Sequence, residues 1–180
     1  VTGFAADVAD FVSLSGDIGF NKSGTEIIAV GSDVTASLAA GSAVNVRLSN
    51  ADFGLMAGDG KTALELKNGS FSATIGGLLD ITAEAVLVRY ASAGASIAAN
   101  TTLTVGSTSY TFVDGIAAGT VAMEVTGFKA DVAGFVSLSG DLGFKKSGSD
   151  IIAVGLDVTA SLAAGGAVSV TLADADFGLK

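Results

Sequence analysis

The chain has 180 residues, of which 49% are hydrophobic and only 15% are charged, and its formal net charge is −9 at pH 7. Nucleic acids and anionic lipids bind to clustered cations, so this composition argues against both partners. The chain contains no Cys and no His, which excludes disulfides, thiolate metal sites and the commonest general base. No apolar stretch approaches the roughly 18 residues of a membrane-spanning helix, so no transmembrane segment is expected.

A long internal repeat organises the sequence. Residues 1–56 return as residues 125–180 at a constant offset of 124, with 43 identities among 56 aligned positions. We therefore expect one full repeat unit in residues 1–124 and the first part of the next unit in residues 125–180. Tandem units of this kind stack and extend, so we expect the chain to be a window of a longer array.

Apolar and polar residues alternate along most of the chain, which is typical of half-buried β-strands. The first segment also fits another pattern, because Phe4, Val8, Phe11 and Val12 have helical spacing. We interpret it as a strand, with a helical turn as the alternative. Further along, Asp59-Gly60 lies between alternating runs and gives the strongest hairpin signal. Residues 96–124 are less regular, and strands are predicted near Thr101–Phe112 and Thr120–Val125.

The alternation slips by one residue at several places, as it does at a β-bulge. Such slips occur at Asn50 and at Asn68-Gly69. Together with Gly16-Asp17 and Gly140-Asp141, they predict strands that bend in the middle.

Differences between the two copies predict which face is buried. Ser32 of the first copy is replaced by Leu156 in the second. Leu156 lies two residues from both Val154 and Val158, so in a regular strand all three share one face. This substitution predicts one continuous inward row in the second copy, and it leaves Ile27 and Ile151 pointing outward. The predicted row consists of Ile152, Val154, Leu156, Val158, Ala160 and Leu162.

The sequence offers little chemistry for catalysis, and no enzymatic activity is predicted. A conventional nucleophile–base pair cannot be built without His or Cys, and the glycine-rich stretches lack phosphate-binding spacing. The acidic residues are the one plausible ligand set, since calcium is bound by converging oxygens. Isolated Asp residues at turns more often bind local backbone amides, which is the favoured interpretation. The calcium candidates, each near a predicted mid-strand bend, are Asp17, Asp33, Asp141 and Asp157.

One recurring motif resembles a known class of proteins. Val-Ser-Leu-Ser-Gly-Asp-(Ile/Leu)-Gly-Phe, followed by Ile-Ile-Ala-Val-Gly-x-Asp-Val-Thr-Ala-Ser-Leu, resembles the β-strand repeats of giant secreted and surface proteins of bacteria. The resemblance implies an extracellular or cell-surface location and an adhesive or sheath-like role. It carries over no functional residue, and the calcium-binding nonapeptides found elsewhere in such proteins are missing here.

These observations predict an all-β, tandem-repeat protein, built as an elongated antiparallel meander that folds into a sandwich or spiral. A parallel β-solenoid is the alternative. The predicted function is a structural repeat segment of a bacterial fibre, sheath or adhesin stalk, whose partner is another copy or a neighbouring repeat. The alternative is a calcium- or carbohydrate-binding module of a large adhesin.

Overall fold

The protein is described by a computed structural model that covers residues 1–8, 11–147, 150–164 and 168–180. Ten of its strands form one antiparallel sheet in chain order, except that β9 lies directly beside β6. The strands of this sheet are β1 (Phe4–Val8), β2 (Val12–Ser23), β3 (Glu26–Ala40), β4 (Val44–Gly58), β5 (Lys61–Ile75), β6 (Leu79–Ala91), β9 (Val121–Val132), β10 (Val136–Ser147), β11 (Asp150–Ala164) and β12 (Val168–Leu179).

The remaining two strands, β7 (Thr101–Val105) and β8 (Thr108–Phe112), form a separate hairpin between β6 and β9 in sequence. The predicted all-β antiparallel meander is therefore confirmed. The parallel solenoid is not the fold, because neighbouring strands of the large sheet pair antiparallel throughout the described residues. No helix in these ranges is long and apolar enough to cross a membrane.

The first segment is a strand, as predicted. Phe4–Val8 pairs with β2, and Val8 lies opposite Val12. The tight turn at Asp59 and Gly60 is also confirmed, since both residues have positive φ, at 49° and 73°. Positive φ at both central residues matches the twist of the flanking strands, which is why Asp-Gly suits this position.

A line of residues with positive φ crosses the sheet at mid-strand, and we call it the bulge line. It passes through Gly16 of β2, Asp33 of β3, Asn50 of β4 and Asn68 of β5. Strand pairing jumps in register at these points, for example between Ser15 and Asp17. The second copy repeats the line at Gly140, Asp157 and Asp174. All four predicted bends are confirmed.

The bulge line changes which residues share a face. Val34 lies opposite Ala51, and Val30 lies opposite Gly54. These two partners are three residues apart along an extended stretch of β4, so they point to opposite faces. Successive side chains of a strand alternate between faces, so Val30 and Val34 lie on opposite faces of the sheet. Ile27, predicted to point outward, lies opposite Ala57 and shares the face of Val34.

The second copy behaves in the same way. Val158 lies opposite Ala175 and Val154 lies opposite Gly178, again three residues apart. The predicted continuous inward row is therefore wrong, because the bulge at Asp157 sends its two halves to opposite faces. Ile152, Val154 and Leu156 lie on one face, and Val158, Ala160 and Leu162 lie on the other.

The β7–β8 hairpin covers part of one side of the sheet, over β2, β3 and β4. We call this side the hairpin face and the opposite side the open face. The boundary between the repeat units, after residue 124, falls inside β9, so both copies share one sheet. The core between hairpin and sheet consists of Val30, Ala63, Ala91, Ala95, Ile97, Leu103, Tyr110, Phe112 and Ile116.

Candidate functional site

Two glycines allow the hairpin to approach the sheet closely. A Cβ atom on Gly54 would lie 2.4 Å from Cδ1 of Tyr110, and one on Gly19 would lie 2.7 Å from Cβ of Val105. Real side chains do not tolerate such distances, so glycine is required at both positions. The aromatic rings of Tyr110 and Phe112 fill this space and meet edge to face, with centroids 5.0 Å apart.

A buried carboxylate lies beneath the hairpin. Glu65 of β5 is only 1% exposed. Its Oε1 accepts a hydrogen bond from the Tyr110 hydroxyl at 2.8 Å, and its Oε2 accepts one from Nε of Arg89. Arg89 also donates from Nη2 to Oδ2 of Asp114 at 2.7 Å. Because a buried charge is costly without partners, these bonds stabilise Glu65 and tie the hairpin to β5 and β6. We call Glu65, Arg89, Tyr110 and Asp114 the polar anchor.

A second cation supports the same ring from the sheet side. Nζ of Lys67 donates to the backbone carbonyl of Thr111 at 3.1 Å and lies 4.7 Å from the ring centroid of Tyr110. A cation this close to an aromatic face is attracted by the ring quadrupole. The hairpin is thus held by apolar burial and by contacts to three charged side chains of the sheet.

The anchor also perturbs the ionisation of its members. Burial, followed by the hydrogen bond to Glu65 and the charge of that carboxylate, raises the pKa of the Tyr110 hydroxyl well above its ordinary value. For Arg89, burial lowers the pKa, but the bonds to Glu65 and Asp114 outweigh it and raise the pKa overall. The folded protein therefore holds a neutral tyrosine and a charged arginine here.

Sequence reasoning missed this anchor. Glu65 lies between Leu64 and Leu66, where the alternation reads as an outward polar position. The contact with Tyr110 is also 45 residues distant in sequence. The one available signal was Glu65 itself, an acidic residue in an otherwise apolar run.

The calcium candidates all lie on or beside the bulge line. Oδ1 of Asp17 accepts the backbone N–H of Gly3 at 2.7 Å, and in the second copy Oδ1 of Asp141 accepts that of Gly127 at 2.8 Å. These carboxylates therefore satisfy amides near the bulges, which is the interpretation that the sequence favoured.

The other two candidates have positive φ and donate from their own backbone. The amide of Asp33 donates to Oδ1 of Asp52 at 3.1 Å, and that of Asp157 donates to Oδ1 of Asp176 at 3.0 Å. Asp52 also accepts from Nδ2 of Asn68 at 2.7 Å. Within the described ranges, no group of three or more acidic residues is arranged to hold a metal ion. Calcium binding at these residues therefore stays the less favoured of the two interpretations drawn from the sequence.

A polar groove lies at the end of the sheet that carries the turns of β2–β3 and β4–β5. Its volume is about 700 Å³, and its charged lining residues are Glu26, Asp59 and Lys61. Thr25 Oγ1 donates to Asp59 Oδ1 at 2.8 Å across it. No aromatic side chain is among its described lining residues. Carbohydrate binding therefore gains no support from this groove and also stays a prediction.

The open face is apolar on both sides of the bulge line. One row across it runs through Ile18, Gly31, Phe53, Leu66, Val88, Met123, Phe144, Ala153 and Leu179. In the part of the chain that the structure describes, no second layer covers this side. Phe20 is consequently 63% exposed, and Phe177 is 49% exposed. Contiguous exposed apolar surface is a common feature of interaction sites in proteins.

No family model, curated protein or solved structure matches this chain. Its function is therefore inferred from the repeat, the open face and the hairpin.

Replacing Glu65 with Ala leaves the Tyr110 hydroxyl and Nε of Arg89 without their acceptor. We expect the free energy of unfolding, measured by urea denaturation, to fall by about 2–3 kcal/mol. Asp114→Ala is the matched control, because it removes the exposed carboxylate from the same arginine and should cost less than about 1 kcal/mol. Equal losses from the two variants would contradict the anchoring role of Glu65.

Alkaline pH should unfold the protein through Tyr110. Its pKa is higher in the folded than in the unfolded chain, so its stabilising effect is complete below about pH 10 and is lost as the pH rises further. In Tyr90→Phe, which leaves Tyr110 as the single tyrosine, phenolate absorbance should appear together with the loss of β circular dichroism. Ionisation near pH 10 with the sheet intact would disprove this.

Calcium should leave the thermal midpoint unchanged relative to a chelator, because the carboxylates of Asp17 and Asp141 already accept backbone amides. The measurement is thermal melting followed by circular dichroism. A midpoint that rises with calcium in the natural chain, but not in Asp17→Asn/Asp141→Asn, would establish a calcium site instead.

Proposed function

We propose that the chain is a structural repeat segment of an extracellular bacterial fibre, sheath or adhesin stalk, which self-associates through its β-rich surfaces. The observation that carries the proposal is the open face. Burying one large apolar side chain stabilises an assembly by about 1.5–3 kcal/mol, and many such side chains lie exposed on this single side.

The two sides of the sheet differ in a way that suits stacking. On the hairpin face, the hairpin covers part of the sheet on one side of the bulge line. The half on the other side carries small hydroxyl side chains. Oγ atoms of Ser13 and Ser37 are hydrogen-bonded at 2.6 Å, and Ser137 and Ser161 repeat the contact. If two sheets pack through their open faces, these polar ladders stay in water.

The edges of the sheet supply a second route for extension. β12 of the second copy corresponds to β4. β4 pairs with β5 along one long edge, and among the described residues no strand pairs with the corresponding edge of β12. Unpaired N–H and C=O groups at such an edge are a template for another strand. Because the sequence of β4 is largely repeated in β12, a β5-like strand of a neighbouring unit has the matching register.

The extracellular location is inferred from the sequence. The absence of Cys, the Gly-, Ser- and Thr-rich strands and the tandem repeat are shared with the giant bacterial surface proteins that the motif resembles. A structural role also agrees with the site chemistry, since the perturbed tyrosine and arginine serve to hold the hairpin in place.

Sedimentation equilibrium over a range of concentrations tests self-association. The natural chain should form oligomers that grow with concentration. Phe20→Ser/Phe144→Ser removes two rings from the open face and should weaken association at least about tenfold. Leu78→Ser/Val113→Ser is the control, because it removes two exposed apolar side chains from turns and loops and should have little effect.

Two outcomes would count against the proposal. A natural chain that stays monomeric at the highest concentrations would overturn self-association. Equal weakening by both double variants would show that association does not use the open face.

A further inference from the structure

Within the part of the chain that the structure describes, no second layer covers the hairpin face of the second copy. In the first copy, the hairpin contacts β2, β3 and β4, and the corresponding strands are β10, β11 and β12. Val30 is 0% exposed beneath the hairpin, whereas its counterpart Val154 is 41% exposed. The same sequence thus forms a covered surface in one place and an uncovered surface in another.

The bare surface keeps the space that a hairpin needs. Gly143 and Gly178 correspond to Gly19 and Gly54, the two glycines that admit Val105 and the rings of the hairpin. A Cβ atom on Gly178 would meet nothing within 4 Å, whereas one on Gly143 would lie 2.8 Å from Cγ2 of Val154 in the neighbouring strand. Glycine within a strand is unfavourable and gives no packing, and one of its uses is to let another element approach the backbone closely.

The substitution beside these glycines points the same way. Leu156 replaces Ser32, and it lies on the hairpin face next to Val154 with 53% of its surface exposed. Ile152 and Val154, the counterparts of Ile28 and Val30, are unchanged. Leu156 therefore adds apolar surface at this position of the second copy, while Lys180 stands where the first copy has Met56 against the hairpin core.

We propose that β10, β11 and β12 bind a second β7–β8 hairpin, supplied by a further copy of residues 92–120. The occupant is identified by the first copy, where this segment fills the equivalent surface. The contact differs from the open-face association proposed above, since it lies on the opposite side of the sheet. Either can hold without the other.

The polar anchor decides what else the second hairpin requires. In the first copy, Tyr110 donates to Glu65 of β5, which lies beside β4. The counterpart of β4 is β12, and in the described ranges no strand pairs with the far edge of β12. A second hairpin is therefore expected to dock together with a β5-like strand paired to β12, which supplies the counterpart of Glu65.

Thiol reactivity measures whether the surface is covered, because the chain has no cysteine of its own. In the 180-residue chain, Val154→Cys should react readily with a maleimide, and Val30→Cys should react at least about tenfold more slowly, through local opening. The chain is then lengthened after Lys180 by a second copy of residues 57–124. Cys at position 154 should now react as slowly as Cys at position 30.

Two controls separate hairpin docking from other causes of protection. Ile151→Cys lies on the open face, and its reactivity should follow protein concentration and not chain length. Replacing Tyr110 and Phe112 by Ser in the added copy should restore the reactivity of Val154→Cys. Equal reactivity in the short and lengthened chains, including through failure of the longer chain to fold, would overturn the proposal. Protection that survives the two serines would overturn it as well.

Discussion

The bulge line is the constraint on which the rest of the structure depends. Without the left-handed residue at Asp33, Val30 and Val34 would share a face, and the hairpin would have no Val30 to pack on. With it, β3 presents apolar residues to the hairpin face on one side of the bulge and to the open face on the other. The amides near the bulges need acceptors, and neighbouring carboxylates such as Asp17 and Asp52 provide them.

The two apolar surfaces created in this way differ in whether the described chain covers them. On the hairpin face, the chain covers β2–β4 with its own insertion, and the buried Glu65 fixes that insertion through Tyr110 and Arg89. On the open face, the described chain supplies no cover. A single sheet with an uncovered apolar side is unfavourable in water, and this is the basis of the proposed association with another sheet.

The regular features of the fold were predictable from sequence because they depend on near neighbours. Alternation predicted the strands, Asp59-Gly60 predicted a turn, and slips at Asn50 and Asn68 predicted bends. The face of each half-strand was not predictable for β3 and β11. In these two strands the apolar residues continue at every second position through the bulge. The sequence therefore shows no shift of the alternation at Asp33 or Asp157.

The hairpin and its anchor escaped prediction for another reason. Their energy comes from contacts distant in sequence, such as Tyr110 on Gly54 and Glu65, and residues 96–124 show no strong alternation. Asp17 and Asp141 were correctly placed beside predicted bends, but sequence alone could not show which backbone amide each carboxylate accepts. Comparison of the copies was more informative, since it showed that Gly178 has no neighbour within 4 Å of a Cβ atom, whereas its counterpart Gly54 contacts the hairpin.

Wide-angle X-ray scattering of the purified chain at increasing concentration tests the central claim most directly. Strands within a sheet are about 4.8 Å apart, and sheets stacked face to face are about 10 Å apart. If the open face packs against a second sheet, a reflection near 10 Å should grow with concentration while the strand spacing stays constant. Scattering from an isolated single sheet at every concentration would contradict the account.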